Sequence, residues 1–166
     1  MPTSEQVGRI VKRTGEVLTI REDESIRSAA EMMTMNEVGC LIVVDCHGCA
    51  VGIISERDII SKVVARSSSP DGTPVSKAMN TPVIACTISS PVNRAQQLMV
   101  RHGIRHLPVV ENGSPVGMLS GRDILAHELV RARAVARRQG EVLEKLEGQY
   151  PGITDLQKDE TGRIVI

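Results

Sequence analysis

The sequence contains the same block of residues twice, and this internal repeat constrains the fold more than any other feature. Residues 51–60 (VGIISERDII) return as residues 116–125 (VGMLSGRDIL), with six of ten positions identical. Upstream, LIVVD at 41–45 returns as LPVVE at 107–111. The offset is 66 residues before the connecting turn and 65 after it. Two copies of one unit therefore account for most of the chain.

Each copy is predicted to run strand, helix, strand, strand, helix. In the second copy, 83–86 is a short apolar strand, and Ser90 followed by Pro91 predicts the N-cap and first residue of a helix. Gly103 stands where a left-handed C-cap is expected, and the Asn-Gly pair at 112–113 predicts a hairpin turn. The first copy is predicted to have strands at 17–20, 41–44 and 51–54 and helices at 26–37 and 59–64.

This pattern predicts an α+β protein in which the two repeats pack on each other. A unit of about 60 residues buries too little surface to be stable alone. The connecting segment is rich in Ser, Pro and Gly, and the end of the chain is predicted to form a helix at 131–146 and a short strand at 163–166. The expected organisation is a first repeat at 7–66, a linker at 67–74, a second repeat at 75–130 and a C-terminal helix and tail at 131–166.

Composition excludes several classes of function. The 20 Lys+Arg balance 20 Asp+Glu, and aromatic residues make up 1% of the chain, which disfavours nucleic-acid binding. No apolar run approaches the length of a membrane span, and no apolar signal segment is visible near Met1. The expected location is the cytoplasm, where the four cysteines would be reduced thiols. No nucleophile elbow, zinc-protease motif or phosphate-binding loop is present, so an enzyme is not expected.

The repeated segments Gly52-x-x-Ser55-x-Arg57-Asp58 and Gly117-x-x-Ser120-x-Arg122-Asp123 each follow a Val-Val-acid-turn hairpin. In this pattern, and in the segment 104–110, the chain resembles a tandem pair of cystathionine β-synthase (CBS) domains, also called a Bateman module, over residues 7–130. The resemblance implies two β-α-β-β-α units related by a pseudo-twofold axis, and usually a homodimer. It also implies clefts between the repeats that bind AMP, ADP, ATP or, in some members, S-adenosylmethionine.

The chemistry of the repeated motif is consistent with a nucleotide ligand. A serine at a strand-to-helix corner caps the helix while neighbouring backbone N–H groups remain available to an anion. Arginine supplies a planar cation for phosphate, and an ionised aspartate accepts hydrogen bonds from ribose hydroxyls. The alternative is purely structural, because Ser-x-x-Asp at a helix start is also a capping box.

The resemblance implies that each ligand contacts the motif of one repeat and the opposite repeat. At the first motif the implied residues are Ile53, Ser55, Arg57 and Asp58, with Thr81 and Ile104 opposite. At the second motif they are Met118, Ser120, Arg122 and Asp123, with Val38 closing the base. Arg105 and His106 match phosphate-contacting positions of some members, whereas the first copy has Gly39 and Cys40 there. The two clefts are therefore expected to differ, and the alternative for His106 is a linker residue bonded to backbone.

A second candidate site is Cys46-His47-Gly48-Cys49, which falls at a hairpin tip. A lone C-x-x-C supplies two of the four ligands that zinc prefers, so a plain turn is favoured over a metal or thiol site.

Three functions follow from these features. The first is a regulatory module that requires no cofactor. It binds an adenine nucleotide as its regulatory ligand, with or without Mg²⁺, and signals by conformational change to an unidentified protein. The second is a ligand-free dimerisation or scaffold module. The third is a thiol or metal responder acting through Cys46 and Cys49.

Overall fold

The first repeat forms the predicted sequence of elements. A computed structural model describes residues 5–11 and 17–139, together with the strand residues 157–158 and 164–165. Strand β2 is central, parallel to β1 and antiparallel to β3. The elements of this repeat are β1 (Thr19–Arg21), α1 (Ile26–Met35), β2 (Cys40–Val44), β3 (Ala50–Ser55) and α2 (Glu56–Lys62).

The core of the first repeat forms between α1 and the central strand. All five residues of β2 are buried, and α1 buries Ile26, Ala29 and Met33, which recur at helical spacing. Val75 and Ala78 also belong to this core, although they come from beyond the linker. Helix α2 begins at Glu56, three residues before the predicted start, because Ser55 caps it.

The second repeat has the same order but lacks a full first strand. Its elements are α3 (Val92–His102), β4 (His106–Glu111), β5 (Ser114–Ser120) and α4 (Gly121–Gln139). The predicted strand at 83–86 is wrong: one parallel bridge, Cys86 with Val109, stands in its place. In the first repeat the Ile42 N–H donates to the Leu18 carbonyl (3.4 Å). The repeat offset places Pro108 at the position of Ile42, and proline has no N–H to donate.

The turns follow the predictions with one shift. Gly103 is left-handed (φ 62°), and Asn112 and Gly113 both have positive φ (50° and 85°), so the predicted C-cap and hairpin turn are confirmed. The predicted N-cap Ser90 is wrong, because the N-cap of α3 is Pro91. The Ser90 hydroxyl accepts instead from the Thr87 N–H (3.0 Å), one turn before the helix.

The predicted boundary at residue 131 does not interrupt the helix. Residues 1–121 and 122–166 form two compact units, and α4 runs continuously from Gly121 to Gln139. The rest of the predicted helix 131–146 lies outside the described residues. Strand β6 (Gln157–Lys158) pairs antiparallel with β7 (Ile164–Val165), which confirms a strand within 163–166. None of the helices in the described part of the chain combines the length and apolar character that crossing a membrane requires.

The segment that opens the first repeat bonds to the second repeat. It contains a 3-10 turn, Val7–Arg9. The N–H groups of Val7 and Gly8 donate to the carbonyls of Ser90 (2.9 Å) and Ile88 (2.8 Å). Val7 and Gly8, which the sequence assigns to the first repeat, therefore form backbone hydrogen bonds with the second repeat.

The segment that opens the second repeat makes the matching contacts with the first. Its 3-10 turn is Val75–Lys77. The N–H groups of Val75 and Ser76 donate to the carbonyls of Glu24 (2.8 Å) and Glu22 (2.9 Å). Each acceptor corresponds by the offset of 66 to an acceptor in the other repeat, so the crossing is symmetric. We call these two stretches, residues 5–11 and 74–80, the crossing segments.

Candidate functional site

The first motif is a capping box at the start of α2. Ser55 ends β3 in an extended conformation, and its hydroxyl accepts from the Asp58 N–H (3.4 Å). In return, Oδ2 of Asp58 accepts from the Ser55 N–H (3.0 Å) and from the Ser55 hydroxyl. Ser55 and Asp58 therefore form the capping box that Ser-x-x-Asp predicts.

The second oxygen of Asp58 is also occupied. Its Oδ1 accepts from Nδ2 of Asn80 (2.9 Å) and lies 3.0 Å from Nζ of Lys62. An ionised carboxylate offers about four acceptor positions, and Asp58 uses them on donors of its own chain. Asp58 is the one buried polar or charged residue among those the structure describes, with 8% of its surface exposed.

Lys62 holds this arrangement together. Its ammonium donates to the carbonyl of Ala78 (2.8 Å) and to Oδ1 of Asn80 (2.8 Å), in addition to its ion pair with Asp58. Burial alone would raise the pKa of Asp58, but hydrogen bonds from Ser55, Lys62 and Asn80 outweigh it and hold this pKa below its usual range. We call Ser55, Asp58, Lys62 and Asn80 the Lys62 cluster.

The structure brings most of the predicted first-motif residues together. Ile53 pairs with Asn80 through two backbone hydrogen bonds (3.1 and 2.8 Å), and the Thr81 hydroxyl donates to the carbonyl of Val51 (3.1 Å). Arg57 is exposed on α2. Sequence reasoning missed Asn80 and Lys62. The spacing of Lys62, four residues after Asp58 on one helix, was the available signal, whereas Asn80 gave none.

The predicted site residues of the segment 104–106 make contacts within the second repeat. Ile104 is half-buried and its N–H donates to the carbonyl of Met99 (3.0 Å). Arg105 is exposed, and its carbonyl accepts from the N–H of Gly121 (2.9 Å) at the start of α4. His106 begins β4, opposite Ser120 of β5. Their role in phosphate binding stays a prediction.

The second motif occupies the end of β5 and the first turn of α4. Met118 and Ser120 lie on β5 and are half-buried. Arg122 and Asp123 are exposed in the first turn of α4. Val38 is half-buried and packs against the core of the first repeat.

The C-x-x-C sequence forms the hairpin tip predicted for it. Cys46 is exposed and Cys49 half-buried, and both are free thiols. Oδ1 of Asp45 accepts from the N–H groups of His47 (2.8 Å) and Cys49 (2.9 Å), which closes the turn. Within the described part of the chain, no three His, Cys, Asp or Glu side chains are grouped to hold a metal ion.

Comparisons with known proteins agree with this architecture. The family model described as CBS domain matches residues 7–65 and 75–129. A protein of Methanopyrus kandleri is 36% identical over 126 residues, which is 75% of this chain. The chain spans 63% of that relative and 24% of a CBS domain-containing protein of Arabidopsis thaliana that is 32% identical over 136 residues.

Two solved structures with adenosine-containing ligands are similar to this chain. One is a CBS domain protein from Pyrobaculum aerophilum complexed with AMP, at 32% identity and a TM-score of 0.66, covering 74% of this chain and 97% of that one. The other is the CBS domain pair of protein MJ0100 in complex with 5′-methylthioadenosine and S-adenosyl-L-methionine. It is 26% identical with a TM-score of 0.68, covering 76% of this chain and 98% of that one.

Proposed function

Because this chain belongs to the CBS domain family and carries two copies of the domain, we propose that it is a regulatory module for an adenosine-containing ligand. The ligand is AMP, ADP, ATP or S-adenosylmethionine, bound between the two repeats. The observation that carries the proposal is that related CBS domain pairs of this fold were solved with AMP and with S-adenosylmethionine. The same observation favours a binding role over an enzymatic one.

The motif residues have the chemistry that such a ligand needs. Arginine at 122 offers two parallel N–H donors to a phosphate, and aspartate at 123 offers acceptors to ribose hydroxyls. The exposed N-terminal turn of α4 favours an anion nearby. With aromatic residues at 1% of the chain, adenine would lie against aliphatic side chains such as Met118 and Val38.

Thermal unfolding tests the proposal directly. A ligand at a hundred times its dissociation constant adds about 2.7 kcal/mol to stability, which for a chain of this size raises the melting temperature by about 5–10 °C. AMP, ADP, ATP and S-adenosylmethionine are each added with and without Mg²⁺. Asp123→Ala should abolish the shift, whereas Asp23→Ala, which removes an exposed aspartate outside both motifs, should leave it unchanged. If none of these compounds shifts unfolding, the ligand-free scaffold is the function that remains.

Binding becomes regulation if the ligand prefers one arrangement of the module over another, because it then shifts the population of the preferred arrangement. A protein partner would respond to that arrangement. We place this module in the reducing cytoplasm, which fits its four free thiols.

We also propose a homodimer. Ile60 and Leu125 occupy corresponding positions of the two repeats and are exposed to 61% and 52%. A contiguous exposed apolar patch is typical of an interaction surface, and these two side chains are our candidates for such a patch. Ile60→Lys and Leu125→Lys should each shift the sedimentation equilibrium from dimer to monomer, while Val100→Lys, on α3, serves as the exposed apolar control.

A further inference from the structure

We propose that Cys46 and Cys49 form a redox-sensitive pair, and that their oxidation to a disulfide loosens the contact between the hairpin tips of the two repeats. The oxidant is a low-molecular-weight disulfide such as oxidised glutathione. This inference goes beyond the proposed function and does not depend on it, because no adenosine-containing ligand takes part. We call residues 45–50 the first tip and residues 111–115 the second tip.

The first step is that one tight turn holds both thiols. The Asp45 N–H donates to the carbonyl of Cys49 (3.0 Å), and the Gly48 N–H donates to the carbonyl of Asp45 (3.1 Å), so the backbone reverses direction between Cys46 and Cys49. A disulfide joins cysteines whose Cα atoms are at most about 7 Å apart, a separation that a tight turn provides. A Cβ added to Gly48 would have no neighbour within 4 Å, so the turn has space to adjust while the bond forms.

The second step is the order in which the thiols react. Cys46 is exposed and attacks a sulfur of the oxidant, which releases one thiol and leaves a mixed disulfide on Cys46. The half-buried Cys49 then attacks the Cys46 sulfur and releases the second thiol. The pair is oxidised, the oxidant is reduced to two thiols, and these take up the two protons that the cysteines lose. In a reducing compartment such a disulfide is transient, so it forms when the share of oxidised glutathione rises.

The third step connects Cys49 to the second repeat. A Cβ added to Gly113 would lie 3.5 Å from Sγ of Cys49, so this thiol is close to the second tip. The next residue makes the hydrogen bond between the tips, because the Ala50 N–H donates to the carbonyl of Gly113 (2.9 Å). Since Cys46 is exposed, formation of the disulfide draws Sγ of Cys49 from this contact toward the surface. Oxidation should therefore weaken the hydrogen bond from Ala50 to Gly113.

The contact between the tips is asymmetric, which assigns the redox response to the first tip. The second tip contains no cysteine. The offset of 65 places Pro115 at the position of Ala50, and proline has no N–H, so the reciprocal hydrogen bond cannot form. The bond from Ala50 to Gly113 is therefore the one that a disulfide in the first tip would weaken.

Incubation of the full-length chain with mixtures of reduced and oxidised glutathione tests the proposal. Peptide mass spectrometry should find a Cys46–Cys49 disulfide, identified by the loss of two hydrogen atoms and reversed by excess reduced glutathione. Amide exchange followed by NMR should show that oxidation speeds exchange of the Ala50 N–H at least about tenfold, because it opens the bond to the second tip. The N–H of Gly121, which donates to the carbonyl of Arg105 (2.9 Å), is the control and should exchange at an unchanged rate.

Two variants separate the steps. Cys49→Ser should stop the reaction at the mixed disulfide between Cys46 and glutathione. Cys46→Ser removes the exposed thiol, so this chain should form no internal disulfide in the first tip and its Ala50 N–H should not respond to oxidation.

Three results would overturn the inference. A wild-type chain that forms no Cys46–Cys49 disulfide at any glutathione ratio would remove the redox pair. A disulfide that forms without faster exchange of the Ala50 N–H would remove its link to the second tip. A response of this N–H in Cys46→Ser equal to that of the wild type would show that the effect comes from another thiol. None of these results bears on the binding of adenosine compounds, which the thermal unfolding panel tests separately.

Discussion

Gly52 and Met79 are in direct contact, which places a crossing segment on the second strand of the first repeat's hairpin. A Cβ on Gly52 would lie 2.8 Å from the sulfur of Met79 and 2.9 Å from the carbonyl oxygen of Asn80. The relationship recurs in the second repeat, where a Cβ on Gly117 would collide with Cγ1 of Val11. The glycine of each repeated motif is therefore required where the opening segment of the other repeat passes over it.

This contact predicts that alanine at either glycine destabilises the protein. Gly52→Ala and Gly117→Ala should each lower the free energy of unfolding by about 1–3 kcal/mol, the usual cost of overpacking. Gly72→Ala is the matched control, because the nearest atom to its added Cβ would be 3.8 Å away. Urea unfolding of the three variants measures the difference. Equal stability of all three would mean that the crossing segments do not pack closely against the motif glycines.

The sequence predicted the elements of each repeat because those elements depend on side-chain spacing. The apolar residues of α1 recur at helical intervals, and the Asn-Gly pair at 112–113 has the positive φ values that such a turn requires. The sequence also shows that Pro108 has no N–H to donate to a neighbouring strand. The loss of the first strand of the second repeat follows from this only once that strand is known to lie beside Pro108.

The crossing of the two segments could not be predicted, because backbone groups make it. The bonds from Val7 and Gly8 to Ser90 and Ile88 involve only N–H and carbonyl groups, which every non-proline residue carries. The Lys62 cluster was hidden for a related reason. The sequence places Ser55 and Asp58 in one motif, but the approach of Asn80 depends on that crossing.

The Lys62 cluster predicts that Asp58 contributes stability at neutral pH that is lost in acid. The hydrogen bonds of the cluster overcome burial and hold the pKa of Asp58 below the ordinary 3.8 in the folded state. As the pH falls, Asp58 is therefore protonated in the unfolded chain before it is protonated in the folded chain. The stability that the ionised Asp58 contributes is present above about pH 4 and is lost as the pH falls through the lower pKa of the folded state. Between pH 7 and pH 3, the free energy of unfolding measured in urea should fall less for Asp58→Asn than for the wild type.

Asp71→Asn provides the comparison for this pH dependence. Asp71 forms an ion pair with Arg27 that lowers the pKa of this carboxyl, but both side chains are largely exposed. Solvent screens such a pair, so the variant should follow the wild type closely. If Asp58→Asn also follows the wild type, the cluster carries no charge-dependent stability.

The capping role of Ser55 predicts that removing its hydroxyl destabilises α2. Ser55→Ala removes the hydroxyl that caps α2 and should cost about 1 kcal/mol. Ser61→Ala is the matched change within the same helix, where an exposed hydroxyl donates to the carbonyl of Arg57 (2.7 Å). The control should change stability by less than about 0.5 kcal/mol. Thermal unfolding of both variants tests the difference, and equal losses would contradict the capping role.

The four thiols should fall into two classes of reactivity. Burial raises the pKa of Cys40 and of Cys86 to about 11, so at pH 8 only about one in a thousand of either would be a thiolate. Cys46 is exposed on the hairpin tip and should react first with iodoacetamide, followed by the half-buried Cys49. Peptide mass spectrometry after a brief labelling identifies the modified residues, and labelling in urea should modify all four. Modification of Cys40 or Cys86 in the folded chain, at a rate close to that of Cys46, would show that the repeats open far more readily than their packing implies.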